Sequence, residues 1–172
     1  MASDFFLSVE TKKGGFVKGE SQSDPVRDQI NVRKFTIALN SPTDYDDQAA
    51  GRVQLEHAEF EFDTSLATTP LFSTLCNNDV IKQATLTCRK TGTTGKHVTF
   101  LQWRFHQARL VSFKNSGEGE NVSDTIKIAY AAIEVWYGQQ KHDGSVGNGM
   151  VSCYDAGENA MGSTTLPDPK PK

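Results

Sequence analysis

The sequence predicts a mainly β protein: a small closed β-barrel of long, coiled antiparallel strands with one short flanking α-helix. Three observations support this fold class. Several segments of ten or more residues are rich in β-branched and aromatic residues, which favour strands. In most of them the alternation of apolar residues changes phase, as it does where a β-bulge bends a strand. Only one stretch has helical spacing of its apolar residues. Long bent strands are typical of a sheet that coils until it closes, because ordinary sandwich strands are nearer five or six residues.

The N-terminal segment MASDFFLSVE predicts the first strand, with Phe5, Leu7 and Val9 on one face. It has neither the cationic start nor the long apolar run of a Sec signal peptide. We therefore expect a protein that is made in the cytoplasm and is not exported by the Sec route.

Two of the next segments carry a phase change. The segment INVRKFTIAL changes parity between Val32 and Phe35, and RVQLEHAEFEF changes between Leu55 and Ala58. Each change indicates a β-bulge, or a strand that passes from one packing environment into another.

The stretch TSLATTPLFSTLCNND predicts the helix. Thr69 is expected as the N-cap and Pro70 at the first helical position, and Asn77 with Asn78 is expected to end the helix in a left-handed turn. The predicted apolar stripe consists of Leu71, Phe72, Leu75 and Cys76. A helix of about two turns is not stable alone, so the stripe must cover an opening of the barrel or a sheet face.

Two long strands follow the helix. The segment IKQATLTCRK alternates without interruption and places Ala84, Leu86 and Cys88 inward, whereas HVTFLQWRFHQARLVSF changes phase more than once. The linking KTGTTGKH predicts a hairpin tip, because it lacks the strand and helix context of a phosphate-binding loop.

The last long segment, Thr125 to Tyr137 (TIKIAYAAIEVWY), contains two apolar triplets of opposite parity. The two triplets are Ile126, Ile128 and Tyr130, then Ile133, Val135 and Tyr137. In a flat strand they would point to opposite faces. One explanation is that one triplet faces the core and the other a neighbouring subunit, and the other is a bulge that keeps both in the core.

Two segments lack strand or helix patterns. The segment from Asn40 to Arg52 is longer than a hairpin turn and carries Asp44, Tyr45, Asp46 and Asp47, without the glycine and distal glutamate of a calcium loop. Residues 146–172, rich in Gly, Asn and Pro, predict a flexible or partner-ordered tail after a barrel domain of residues 1–145.

Composition excludes several classes of function. A net charge of -3 argues against a nucleic-acid binder, and no run of apolar residues is long enough to span a membrane. The three cysteines and four histidines are scattered, in no spacing typical of a metal site, a disulfide framework or a catalytic motif. We therefore expect no catalytic residues, no cofactor and no metal.

Three motifs, in order along the chain, suggest a family. They are VKGES from Val17 to Ser21, FDTSLATTPLF at the entry to the helix, and the late IEVWYGQQKHDG. The chain resembles the Hcp (haemolysin-coregulated) family, the tube proteins of bacterial type VI secretion, which has KGES, D-x-x-SP-x-L and Y-x-x-Q-x-x-DG patterns at corresponding places. Thr69 stands where a serine often precedes the proline. The resemblance extends to about Ser145.

The resemblance implies a tail-tube-like barrel that forms homo-hexameric rings. The rings stack into a hollow tube, which a contractile sheath propels with spike and baseplate proteins, and effector proteins can lie in the lumen. It also implies secretion into neighbouring cells or the medium, a role in virulence, and a counterpart of the Asn40–Arg52 loop that extends toward the next ring. Asp44, Tyr45, Asp46 and Asp47 are thus the candidate ring-stacking residues, and the two apolar triplets are the candidate subunit interface.

Two other functions remain open on the residues alone. A small carbohydrate- or ligand-binding barrel would use Trp103 and Trp136 as stacking platforms. A barrel hydrolase would assemble its site from His57, His106 and aspartates that are distant in sequence.

Overall fold

A computed structural model describes residues 3–44, 51–92, 95–142, 144–157 and 160–161. Its elements, in chain order, are β1 (Ser3–Thr11), β2 (Gly15–Phe16), β3 (Ile30–Thr36), β4 (Leu39–Asn40), β5 (Gln54–Leu55), β6 (Ala58–Asp63), α1 (Thr68–Cys76), β7 (Val80–Thr91), β8 (His97–Glu118), β9 (Asn121–Ala129), β10 (Ala132–Tyr137), β11 (Met150–Asp155) and β12 (Ala160–Met161).

Six antiparallel strands close into a barrel, in the order β8, β7, β1, β3, β6 and β9, with β9 pairing back onto β8. Closure is possible because β8, at 22 residues, is long enough to serve different partners along its length. Its second half pairs with β9, and its first half pairs with β10. Strands β10, β11 and β12, here called the flange, continue the sheet away from the barrel. The predicted fold class is confirmed.

The barrel interior is filled by aliphatic and aromatic side chains from all six strands. Its largest fully buried members include Phe60, Phe62, Phe105, Leu7, Ile81 and Leu86. Phe105 packs edge-to-face on Phe60, with ring centroids 5.8 Å apart, and on Tyr130, with centroids 4.9 Å apart. The predicted inward residues of β7, Ala84, Leu86 and Cys88, are all fully buried.

The predicted phase changes coincide with irregularities in strand pairing. The register of β3 against β6 shifts between Val32 and Lys34, and that of β8 against β9 shifts between Leu110 and Ser112. Gln107 adds a left-handed residue, φ 50°, within β8. The phase change between Leu55 and Ala58 is not a bulge within one strand, because Leu55 belongs to β5 and Ala58 to β6. Beyond the two register shifts, Phe35 of β3 and Phe113 of β8 pack partly buried against the core, whereas Val111, at the second shift, is exposed.

The helix begins earlier than the sequence predicts. Its N-cap is Ala67, which makes no side-chain capping hydrogen bond, so the prediction that Thr69 is the N-cap is wrong. Thr69 and Pro70 both lie in the first turn, where a proline is tolerated because its missing N–H would have no helical partner. At the other end Asn78 has φ 49°, which confirms the left-handed exit.

The buried face of α1 also differs from the predicted stripe. Leu71 and Thr74 are buried and Leu75 packs against the core, whereas Phe72 and Cys76 are exposed. Thr74 tolerates burial because its hydroxyl donates to the Pro70 carbonyl at 2.8 Å. The helix packs on β8, and its Leu71 belongs to the core.

The predicted boundary at residue 145 falls within a hydrogen-bonded segment. The Lys141 amide donates to the Ser145 carbonyl, and Gln140 bridges to Val146. Met150–Asp155 then pairs along the whole of β10, so this part of the predicted tail belongs to the sheet. The physical reason is that β10 would otherwise present an open edge. Residues 162–172 lie outside the described residues.

Candidate assembly surfaces

The first apolar triplet lies inside the barrel. Ile126 and Ile128 are completely buried and Tyr130 is 8% exposed. Burial, with a smaller contribution from the charge of Glu56, raises the pKa of Tyr130 to about 12, so its hydroxyl stays neutral. These three residues therefore stabilise the subunit from within and are too enclosed to contact a neighbour.

The second triplet runs from the core out to the surface. Ile133 is 4% exposed and belongs to the core, Val135 is half-buried, and Tyr137 is 51% exposed. A bend at Ala131, whose amide donates to the His106 carbonyl at 3.2 Å, separates β9 from β10 and turns this triplet to the core side of the sheet. The explanation that a bend keeps both triplets in the core holds for Ile133 but not for Tyr137, which lies outside the core. The chain bends to keep Ile133 inside, and the strand then continues past the end of the core.

Neighbouring strands extend this row of side chains into an apolar surface. Tyr137 lies between Leu101 of β8 and Met150 of β11 in the ladder, and Val135 lies beside Trp103. Met150 is 81% exposed, and Leu101 and Trp103 are each partly exposed. We call Leu101, Trp103, Val135, Tyr137 and Met150 the flange surface. Large contiguous apolar areas on protein surfaces are common at interaction sites.

Sequence reasoning missed the contribution of Met150, because it assigned the residue to a tail. One signal was available: VSCY combines β-branched and aromatic residues between Gly149 and Gly157, which is the pattern of a short strand.

The opposite side of the flange holds a buried charged cluster. Glu134 is 1% exposed, and its carboxylate oxygens lie 3.8 Å from Arg104 Nη1 and 3.7 Å from His106 Nε2. Among the described residues neither oxygen has a hydrogen-bond partner. Burial and the charge of Arg104 lower the pKa of His106 against the opposing effect of Glu134, and burial together with Glu134 raises the pKa of Cys153 on the next strand. The cluster therefore links β8 to β10 by charge, and Cys153 of β11 lies beside it as a neutral thiol.

The two tryptophans do not form the stacking platforms that a ligand-binding barrel requires. Trp136 is 8% exposed and packs against Gly149, where an added Cβ would lie 2.0 Å from its indole nitrogen. Trp103 is half-buried within the flange surface. The expectation of two exposed aromatic platforms is therefore wrong, because the chain after β10 folds back over Trp136.

The loop from Asn40 to Arg52, here called the acidic loop, is anchored at one end of the barrel. Its stem is the two-residue ladder of β4 with β5, in which Leu39 pairs with Leu55. Asp44 is exposed. Tyr45, Asp46 and Asp47 lie outside the described residues.

The described residues hold no group of three His, Cys, Asp or Glu side chains placed to bind a metal ion. His57 is exposed beside Leu55 and Glu59, while His106 belongs to the flange cluster, so the two histidines suggested for a hydrolase lie in different surroundings. Within the described part of the chain, no helix has the length and apolar character needed to cross a membrane.

Comparison with known proteins assigns the chain to a family. Residues 6–137 match the model of the family described as type VI secretion system effector, Hcp. Among solved structures, the chain is similar to Hcp1 from Salmonella typhimurium, with a TM-score of 0.75 and 20% identity over 94% of this chain and 99% of that one. It is also similar to the secreted protein Hcp3 from Pseudomonas aeruginosa, with a TM-score of 0.66 and 13% identity over 90% and 98% of the two chains. A type six secretion system protein superposes with a TM-score of 0.81 at 17% identity, over 94% and 100% of the chains. No curated protein sequence matches significantly.

Proposed function

Since the chain belongs to the Hcp family and is a subunit of the type VI secretion tube, we propose that its subunits join through the flange surface into hexameric rings. The observation that carries this proposal is the continuous row from Ile133 to Tyr137, which begins in the core and ends 51% exposed. A head-to-tail contact between identical subunits closes into a ring when its rotation allows. Val135 and Tyr137 are the interface residues of the predicted strand, and Leu101, Trp103 and Met150 complete the contact.

The rings stack through the loop from Asn40 to Arg52. Its stem is the β4–β5 ladder, and Asp44, four residues beyond β4, is exposed. Asp44, Tyr45, Asp46 and Asp47 supply negative charge and one aromatic side chain, which suit a contact with a basic surface.

The stacked rings form the hollow inner tube, propelled by the type VI sheath and carrying effector proteins in the lumen toward spike and baseplate partners. The role is structural and includes no catalytic step. The protein is made in the cytoplasm and leaves the cell through the secretion apparatus.

Negative-stain electron microscopy of the purified protein, combined with light scattering after size exclusion, tests the proposal. We expect six-fold rings with a central hole and a mass of six subunits. A stable monomer at high protein concentration would contradict it. Secretion is tested separately, by detecting the protein in the medium only when the sheath is functional.

A further inference from the structure

Within the sheet, the flange is joined to the barrel along one strand, β8. Strand β10 pairs with the first half of β8, from Leu101 to His106. The barrel is closed by the second half, in which Arg109 to Glu118 pairs with β9. The two ladders share no residue of β8. Segments with separate sets of contacts can open separately, so the flange can leave β8 while the barrel stays closed.

The charged cluster of the flange lies across this joint. We call Glu134, Arg104 and His106 the flange cluster. The side chain of Glu134 is 1% exposed, and those of Arg104 and His106 are 14% and 18% exposed, so a proton from solvent can reach His106. Both carboxylate oxygens of Glu134 and Nε2 of His106 are enclosed and have no hydrogen-bond partner among the described residues. The stability of the joint therefore depends on the charges of these groups.

The flange cluster is balanced in charge only while His106 is neutral. Burial, together with the charge of Arg104, lowers the pKa of His106 against the opposing effect of Glu134. At neutral pH one negative charge, on Glu134, therefore faces one positive charge, on Arg104. A proton on His106 adds a second positive charge to an enclosed space, where an uncompensated charge is costly. Exposure to water removes that cost, so protonation favours an open flange.

Strand β7, on the other side of β8, supplies no charge to compensate this proton. The residue that pairs with His106 there is Gln83, whose side chain is neutral. Gln83 in turn pairs with Glu10 of β1. The carboxylate of Glu10 lies 3.2 Å from Nζ of Lys82, so its charge is already engaged.

Strand β11 supplies one acid at a distance. Asp155 pairs with Ala132, which pairs with His106, so two ladder steps separate the two side chains. The Asp155 carboxylate accepts a hydrogen bond from the Gly157 amide at 2.8 Å. Burial and the charge of Glu134 raise the pKa of Cys153, which therefore remains a neutral thiol in acid. Within the described part of the chain, Glu134 is thus the carboxylate that faces His106 directly.

We propose that the flange cluster is an acid-sensitive switch, in which protonation of His106 separates β10 and β11 from β8 while the barrel stays folded. The switch acts on the flange surface because the two occupy opposite faces of the same strands: Trp103 precedes Arg104, and Val135 follows Glu134. A loss of rings in acid rests on the proposed ring contact, whereas opening of the flange does not. One proton changes the opening equilibrium by at most about tenfold per pH unit, and the open fraction grows as the pH falls below about 6.5.

The tryptophans and two cysteines report on the flange and the barrel separately. Trp136 is buried in β10 and Trp103 lies in the flange surface, and the chain has no other tryptophan. We expect tryptophan emission to move to longer wavelength between about pH 8 and about pH 5. In a Cys76→Ser background the remaining thiols are Cys153 in the flange and Cys88, fully buried in the core. Labelling with a dithiodipyridine, relative to free cysteine at the same pH, is expected to become faster at Cys153 in acid and to leave Cys88 unmodified.

Two variants assign the response to the flange cluster. His106→Gln removes the group that gains the proton and is expected to abolish both changes. Arg104→Gln leaves Glu134 as the charge that faces a protonated His106, so the response is expected to weaken. The matched control is His57→Gln, because His57 is an exposed histidine outside the flange. It is expected to respond to acid as the wild type does.

Tryptophan emission and Cys153 labelling that do not change in wild type would overturn the proposal, and so would a full response in His106→Gln. Loss of far-UV circular dichroism with labelling of Cys88 at the same pH would also overturn it, because the barrel would then unfold with the flange. Light scattering is expected to show the ring mass falling in acid for wild type but not for His106→Gln. Rings that persist while the flange opens, or are absent at about pH 8, would contradict the proposed ring contact. The flange readouts would decide the switch in either case.

Discussion

Replacement of Tyr137 by alanine is predicted to weaken the ring. Tyr137 is 51% exposed in the isolated subunit. A buried aromatic side chain covers roughly 150–250 Å², so about 100 Å² of Tyr137 remains for a neighbour to cover. At about 25 cal/mol per Å² this area contributes about 2.5 kcal/mol to each subunit contact, which is roughly a 60-fold change in the contact's equilibrium constant.

The assay is a dilution series followed by sedimentation velocity, which gives the protein concentration at which rings dissociate. Because the ring contains several equivalent contacts, we expect Tyr137→Ala rings to dissociate at a much higher concentration than wild type. The matched control is Phe72→Ala, since Phe72 is an aromatic residue of similar exposure, 54%, on helix α1. Its rings are expected to dissociate at the wild-type concentration.

The reasoning is refuted if Tyr137→Ala and wild-type rings dissociate at the same concentration while the variant's thermal unfolding is unchanged. That result would show that the flange surface is not the contact between subunits. A variant that loses its folded circular dichroism would instead assign Tyr137 to the core, against its observed exposure.

Three further predictions concern the subunit itself. Asp124 is completely buried and accepts hydrogen bonds from Thr68 and Asn115, so Asp124→Ala is expected to lower the free energy of unfolding by about 2–4 kcal/mol, measured by urea denaturation. Burial lowers the pKa of His106, so near pH 6.5 the unfolded chain binds more protons than the folded chain. The free energy of unfolding therefore falls as the pH drops through about 6.5. The variant His106→Asn is expected to show a weaker dependence of stability on pH in this range. Desolvation would raise the pKa of Asp79, but its hydrogen bonds outweigh desolvation and the pKa is lowered. The ionised carboxylate therefore stabilises the fold at neutral pH, and this stabilisation is lost as the pH falls below about 4. The stability difference between wild type and Asp79→Asn is expected to disappear in acid.

Each of these has a result that would contradict it. A loss below about 1 kcal/mol for Asp124→Ala would mean that the hydroxyl and amide donors find other partners in the variant. If the free energy of unfolding of His106→Asn depends on pH as strongly as that of the wild type, other groups cause the loss of stability between pH 7 and 5. If the stability difference between wild type and Asp79→Asn persists at pH 2, the asparagine alters packing and not proton binding.

The local pattern of the chain was sufficient for much of the fold. Alternating residues such as Ala84, Leu86 and Cys88 of β7 are buried as predicted, and the phase changes coincide with register shifts in β3 and β8. These features depend on strand geometry, in which neighbouring side chains point to opposite faces, so a single sequence contains the information. The helix boundary was less accessible, because Thr68 and Thr69 are comparable capping residues and the structure uses Ala67.

The candidate surface depended on contacts between distant segments. Tyr137 and Ile133 have the same parity, yet one is half exposed and the other is in the core, because the interior of the barrel ends between them. Met150 joins the surface only through its pairing with Tyr137 in the ladder, and Glu134 is buried only because the strands on both sides of β10 enclose it. The alternation along each strand is therefore enough to predict which residues share a face. Which of these faces are covered follows from the fold, because burial depends on the neighbouring segments and parity only on the strand.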